Sequence, residues 1–190
     1  MRRILLSALA VLVSTICLSG QNNGHKYEVG IGYAPFFLAH VDDGVSIPYK
    51  YNAYAEWRYD FGNHIDVGAK LDYKTFPSEG YDFVDMISYK GTQHDVAALA
   101  FADYNHMPGQ KINLFFGLGL GPGMIIDHWK TSQGYREREG NTPLVHSQFM
   151  IVAMPRVGLE FFQQLRFAAS VDMSLSDTRW PVCFSVGWTF

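Results

Sequence analysis

The sequence predicts an all-β fold, an eight-stranded antiparallel up-and-down transmembrane β-barrel. Three observations carry this prediction. Apolar and polar residues alternate with period two in a series of segments of about ten residues, and no 3.6-residue helical period persists over a useful length. The connections alternate long and short, so that all the long loops leave from one end. Aromatic residues gather near the ends of the apolar faces, where rings suit the two interfaces of a membrane.

Composition narrows the classes. The chain has 190 residues, the size of one domain, with 15 Lys+Arg against 18 Asp+Glu for a formal charge of −3. Charged residues make up 17%, below the roughly 25% of ordinary soluble domains, and no Lys/Arg cluster follows the first three residues. That excludes a nucleic-acid binder. The 18 Gly and 14 Phe, without any low-complexity tract, speak against both disorder and a helical bundle.

Residues 1–20 read as a cleavable signal peptide and residues 21–190 as the barrel domain. Arg2 and Arg3 precede the apolar run Ile4 to Val13, and small and polar residues follow, which is the order of an export signal. The run is shorter than the roughly 20 residues of a spanning helix. Lipidation at Cys17 is the alternative, but Ile16 before it is bulky for that signal. Cleavage would leave Cys183 as the single cysteine, expected to be a small packing residue.

The first strand, Lys26 to Phe37, sets Tyr27, Val29, Ile31 and Tyr33 against Glu28, Gly30, Gly32 and Ala34. In the second, Tyr49 to Phe61, Tyr51, Trp57, Tyr59 and Phe61 oppose Asn52, Glu56, Arg58 and Asp60. The third, His64 to Lys74, opposes Ile65, Val67, Leu71 and Tyr73 to Asp66, Lys70, Asp72 and Lys74. The fourth, His94 to Tyr104, is rich in Ala, and Leu99 and Phe101 are assigned to its apolar outer face. The fifth, Ile112 to Met124, turns Phe116, Leu118 and Leu120 outward. The sixth, Ser147 to Phe161, alternates Phe149, Ile151, Val157 and Leu159 with Met150, Arg156 and Glu160; a bulge is expected at Pro155, which cannot donate to a ladder. The seventh is Gln164 to Leu175 and the eighth Pro181 to Phe190. Tight turns are expected at Gly62-Asn63, Pro108-Gly109 and Phe162-Gln163. Long loops are expected at His40 to Pro48, Thr75 to Gln93 and Asp127 to His146, with Ser176 to Trp180 as the last connection.

A soluble alternative is a secreted lipocalin-like barrel, with its apolar face turned inward around a ligand. Three features favour the membrane version. Gly and Ala interleave with long charged residues on the polar face, as a narrow lumen requires. Aromatics such as Tyr27, Tyr59, Tyr73, Phe161 and Trp188 sit near strand ends on the apolar face. The chain finishes with Val182, Phe184, Val186, Trp188 and Phe190 at alternate positions.

That terminal pattern resembles the C-terminal assembly signal of bacterial outer-membrane barrels. Gly117-Leu118-Gly119-Leu120-Gly121 resembles a strand of the small outer-membrane β-barrel domain family. The resemblance implies an eight-stranded barrel in the bacterial outer membrane, with outer-membrane lipids and the barrel assembly machinery as partners. A monomer is expected.

The lumen face is expected to carry the acids Glu28, Glu56, Asp60, Asp66, Asp72, Glu160 and Asp172 and the bases Lys26, Arg58, Lys70, Lys74, Arg156 and Arg166. Nearly balanced, they are expected to pair across the interior, because unpaired charge at membrane depth is costly. A structural or surface-binding role follows, with any surface ligand taken by the long loops. The rival is a lipid A-modifying acyltransferase or deacylase, which needs a Ser or other nucleophile, a His and a carboxylate within reach. His40, Asp42, Asp43 and Ser46 share the first loop, and His146 and Ser147 are adjacent, but no His-x-Ser-Asn sequence is present. The seven His show no pair at i, i+2 or i, i+4, so no metal and no cofactor are expected.

Overall fold

The computed structural model describes residues 24–37, 50–62, 64–82, 87–131, 144–174 and 180–190. All regular structure there is β: β1 (His25–Phe37), β2 (Lys50–Gly62), β3 (Ile65–Asp82), β4 (Ile87–Asn105), β5 (Ile112–Thr131), β6 (Leu144–Phe161), β7 and β8 (Pro181–Thr189). Strand β7 comes in two pieces, Leu165–Val171 and Met173–Ser174. Each strand pairs antiparallel with its neighbours in sequence, and β1 pairs with β8 from Glu28↔Thr189 to Phe37↔Pro181, which closes the barrel. Closure removes the open edges that isolated sheets must protect.

Alternation sets the faces. Ile31, Leu71, Leu118, Leu120 and Phe149 are 57–69% exposed on the outside, while Arg58, Asp66, Asp103 and Arg166 inside are at most 2% exposed. A soluble barrel has the opposite arrangement, because large exposed apolar patches are rare in water.

Three expectations are corrected. The segment Thr75 to Gln93 is not a loop over most of its length: β3 and β4 stay in register from Thr75↔His94 to Asp82↔Ile87. Likewise β5 and β6 remain paired to Trp129↔Leu144, so the ends of the expected loop Asp127 to His146 are strand. Pro77, Gly80 and Gly91 read as loop residues locally, but hairpin pairing continues past them.

Second, no bulge forms at Pro155. The β6–β7 pairing keeps one register from Arg156↔Ser170 to Ala153↔Met173 and is interrupted between them. Asp172 N donates to Pro181 O on β8, so its neighbour Val171 faces β6 at the level of Pro155. Pro155 has no N–H to offer there, and the ladder breaks without shifting.

Third, Leu99 and Phe101 point into the lumen at 2% and 5% exposure, while Ala98, Ala100 and Ala102 face outward. With Ile125, Met150, Val152 and Met154, Leu99 forms an apolar cluster inside the barrel.

Candidate functional site: a buried charge network in the lumen

Inward-facing residues of seven strands bring three arginines together. Arg58 on β2 lies 3.0 Å from Glu28 Oε2, 3.4 Å from Glu160, 3.5 Å from Glu56 and 3.6 Å from Asp66, and donates to Thr189 Oγ1 at 2.7 Å. Arg156 on β6 is held in two directions. Its Nε and Nη2 donate to the two oxygens of Asp103 at 2.8 and 2.7 Å, and its Nη1 and Nη2 to those of Glu56 at 2.5 and 3.2 Å. Arg166 on β7 reaches Glu56 at 3.1 Å, Asp103 at 2.9 Å and Glu28 at 3.4 Å. Glu56 therefore touches all three guanidinium groups. Such planar, forked donors suit paired carboxylates better than an ammonium would.

Aromatic rings complete the packing. Arg156 lies 4.0 Å from the centroid of the Phe101 ring and Arg166 3.6 Å from that of Phe115. Tyr54 Oη donates to Glu28 Oε1 at 2.6 Å, and Lys70 Nζ sits 4.2 Å above the Tyr54 ring. These groups fit because glycines face them: a Cβ on Gly117 would overlap the Asp103 carboxylate, and one on Gly187 would overlap Glu28 and Tyr54. Nearer the loop end lies a second cluster, in which Lys74 bridges Asp72 and Asp172 and Asn52 Nδ2 donates to Asp72 at 3.3 Å.

The expected lumen residues thus fall into two groups. Glu28, Glu56, Arg58, Asp66, Arg156, Glu160 and Arg166 meet in one network, and Asp72, Lys74 and Asp172 in the other, with Lys70 against Tyr54 and Met154. Asp60 is exposed at the turn end, where it accepts from Gly62 N, and Lys26 is half-buried there. Asp103 and Asp95 were not anticipated, and both are buried. They share the odd-numbered phase of Leu99 and Phe101 in β4, and this is the signal that assigns that face inward. Eight carboxylates, with Asp95 and Asp103 replacing Asp60, then face Arg58, Lys70, Lys74, Arg156 and Arg166. The expected near balance is corrected to a surplus of acid among the described residues.

On β8, Phe184 and Trp188 face outward at 49% and 47% exposure, whereas Val182 is buried at 8%. Phe190 N donates to Tyr27 O at 2.8 Å, which ties the chain end to β1. Cys183 is buried and in no disulfide. Of the nucleophile candidates, His40, Asp42, Asp43 and Ser46 lie outside the described residues. His146 and Ser147 are consecutive in β6.

Solved structures share this closed architecture. The outer membrane protein OprG of Pseudomonas aeruginosa superposes with a TM-score of 0.57 at 11% identity, covering 90% of this chain and 98% of that one. Neisserial surface protein A superposes at 0.50 and 11% identity, covering 88% and 96%. The chain has the fold of an eight-stranded outer-membrane barrel. The attachment invasion locus protein of Yersinia pestis also aligns, at 18% identity and a TM-score of 0.47 over 87% of this chain and 99% of that one. No protein-family model and no curated protein matches the sequence.

Proposed function

We propose that this protein is a monomeric outer-membrane barrel with a structural or surface-binding role, its lumen plugged by the charge network and its specificity carried by the connections at the loop end. The observation that carries this reading is the meeting of Arg58, Arg156 and Arg166 with Glu28, Glu56 and Asp103 in the lumen, where Arg156 on β6 reaches across the bore to Glu56 on β2. Ions inside a low-dielectric wall are stable only when paired and hydrogen-bonded. Side chains that satisfy one another in this way fill the bore of a narrow barrel and leave little reason for water to enter. The tight turns and both termini then lie on the periplasmic side, and Val182, Phe184, Val186, Trp188 and Phe190 supply the alternating residues read by the assembly machinery. No catalytic role is assigned.

Conductance in planar lipid bilayers tests the plug. Wild-type protein is expected to insert without a steady current. A stable cation-selective current, which the surplus of acid would favour if the lumen were hydrated, would overturn the plugged reading.

A further inference from the structure

We infer that the outer wall of the barrel holds one phospholipid, with an acyl chain lying in a groove across β2 to β5. This rests on the membrane-barrel reading above. The groove has a volume of about 620 Å³, within the range of small-molecule clefts. It follows from register. Trp57 pairs with Ala69, Ala69 with Ala100 and Ala100 with Leu120, so one row across four strands reads large, small, small, large. With strands about 4.8 Å apart, two consecutive alanines open a trough about 10 Å wide in a surface otherwise built of bulky side chains. The next row adds Leu71 opposite Ala98, and Pro122 closes the far end.

The occupant follows from the polarity of the two ends. The charged residues that border the groove, Glu28, Glu56 and Lys70, turn their side chains into the lumen, so the trough itself is apolar. At the turn end Trp57 Nε1 donates to His25 Nδ1 at 3.3 Å, and His25 stacks against Trp57 at 5.8 Å and packs at a tilt against Tyr59 at 5.0 Å. An indole, an imidazole and a phenol gathered at one end of an apolar trough match a molecule with a hydrogen-bonding head and a hydrocarbon tail. Trp and Tyr favour this interfacial level. A second copy of the chain fits less well. In a two-fold contact the same trough would meet itself and leave a void, whereas close packing is what stabilises a protein interface.

Native mass spectrometry of the protein extracted from outer membranes in mild detergent tests the inference. Ala69→Leu/Ala100→Leu fills the trough, and Ala169→Leu adds one such side chain on β7, away from it. Wild type and Ala169→Leu are expected to retain one phospholipid per barrel. The filled variant is expected to lose at least about tenfold in occupancy, about 1.4 kcal/mol. His25→Ala is expected to keep the groove but release the lipid sooner on dilution into lipid-free detergent. Undiminished occupancy in the filled variant, or no retained phospholipid on wild type, would overturn the inference. So would a wild-type dimer abolished by filling, which would assign the trough to a second copy. Ala69→Val serves in place of the double variant if that fails to fold. Folding is read from the gel shift on boiling: its absence in wild type would defeat the barrel reading itself, separately from the lipid.

Discussion

Replacing Arg156 with Met keeps most of the side-chain volume and removes four hydrogen bonds, two to Asp103 and two to Glu56. Asp103 then retains Arg166 at 2.9 Å, and Glu56 retains Arg166 at 3.1 Å and Arg58 at 3.5 Å. Charge-assisted bonds contribute roughly 1.5–3 kcal/mol each and are not additive, and removing one partner of a buried pair typically costs about 3–5 kcal/mol. Because carboxylates already outnumber cations in the lumen, Arg156→Met deepens the imbalance while Asp103→Asn relieves it. Arg156→Met is therefore expected to destabilise by about 3–5 kcal/mol and Asp103→Asn by less, about 1–3 kcal/mol. Urea unfolding in lipid vesicles, followed by the gel mobility of the folded form, measures both. A loss below about 1 kcal/mol for Arg156→Met, or an equal loss for Asp103→Asn, would refute the argument.

Gly117→Ala forces the Asp103 carboxylate out of place and is expected to cost about 1–3 kcal/mol in the same assay. Ala100→Arg puts a cation on the lipid-facing surface and is expected to cost about 2–4 kcal/mol if the residue lies near the bilayer midplane, measured by refolding into vesicles. Deleting Phe190 removes its backbone bond to Tyr27 and the last residue of the alternating terminal pattern, and immunoblots of fractionated cells are expected to show less outer-membrane protein with secretion unchanged.

The faces of β2, β3 and β6 were legible because bulky apolar residues alternate there with charges, as in Leu71 between Lys70 and Asp72, and that of β5 because they alternate with glycines, as in Leu118 between Gly117 and Gly119. Strand β4 misled because its lipid-facing residues are alanines, while its large apolar residues fill the bore beside Phe115 and Met154. Size and hydrophobicity alone pointed the wrong way, and only the phase of Asp95 and Asp103 resolves it. Strand length was also hidden. Beyond Lys74 and before His94 the alternation fades, yet cross-strand pairing continues to Asp82↔Ile87, because a hairpin lengthens by backbone hydrogen bonds that carry no sequence pattern. The lumen ions could be named from parity, but which carboxylate each arginine takes depends on barrel stagger. Contacts such as Arg58 with Glu160, 102 positions apart, have no local signature.

The most direct measurement is membrane fractionation of cells expressing the full chain, combined with gel mobility before and after boiling. A barrel with apolar residues outside and charges inside is expected in the outer-membrane fraction, extractable only with detergent, with a band that shifts on boiling. A soluble periplasmic protein with no shift would contradict the account.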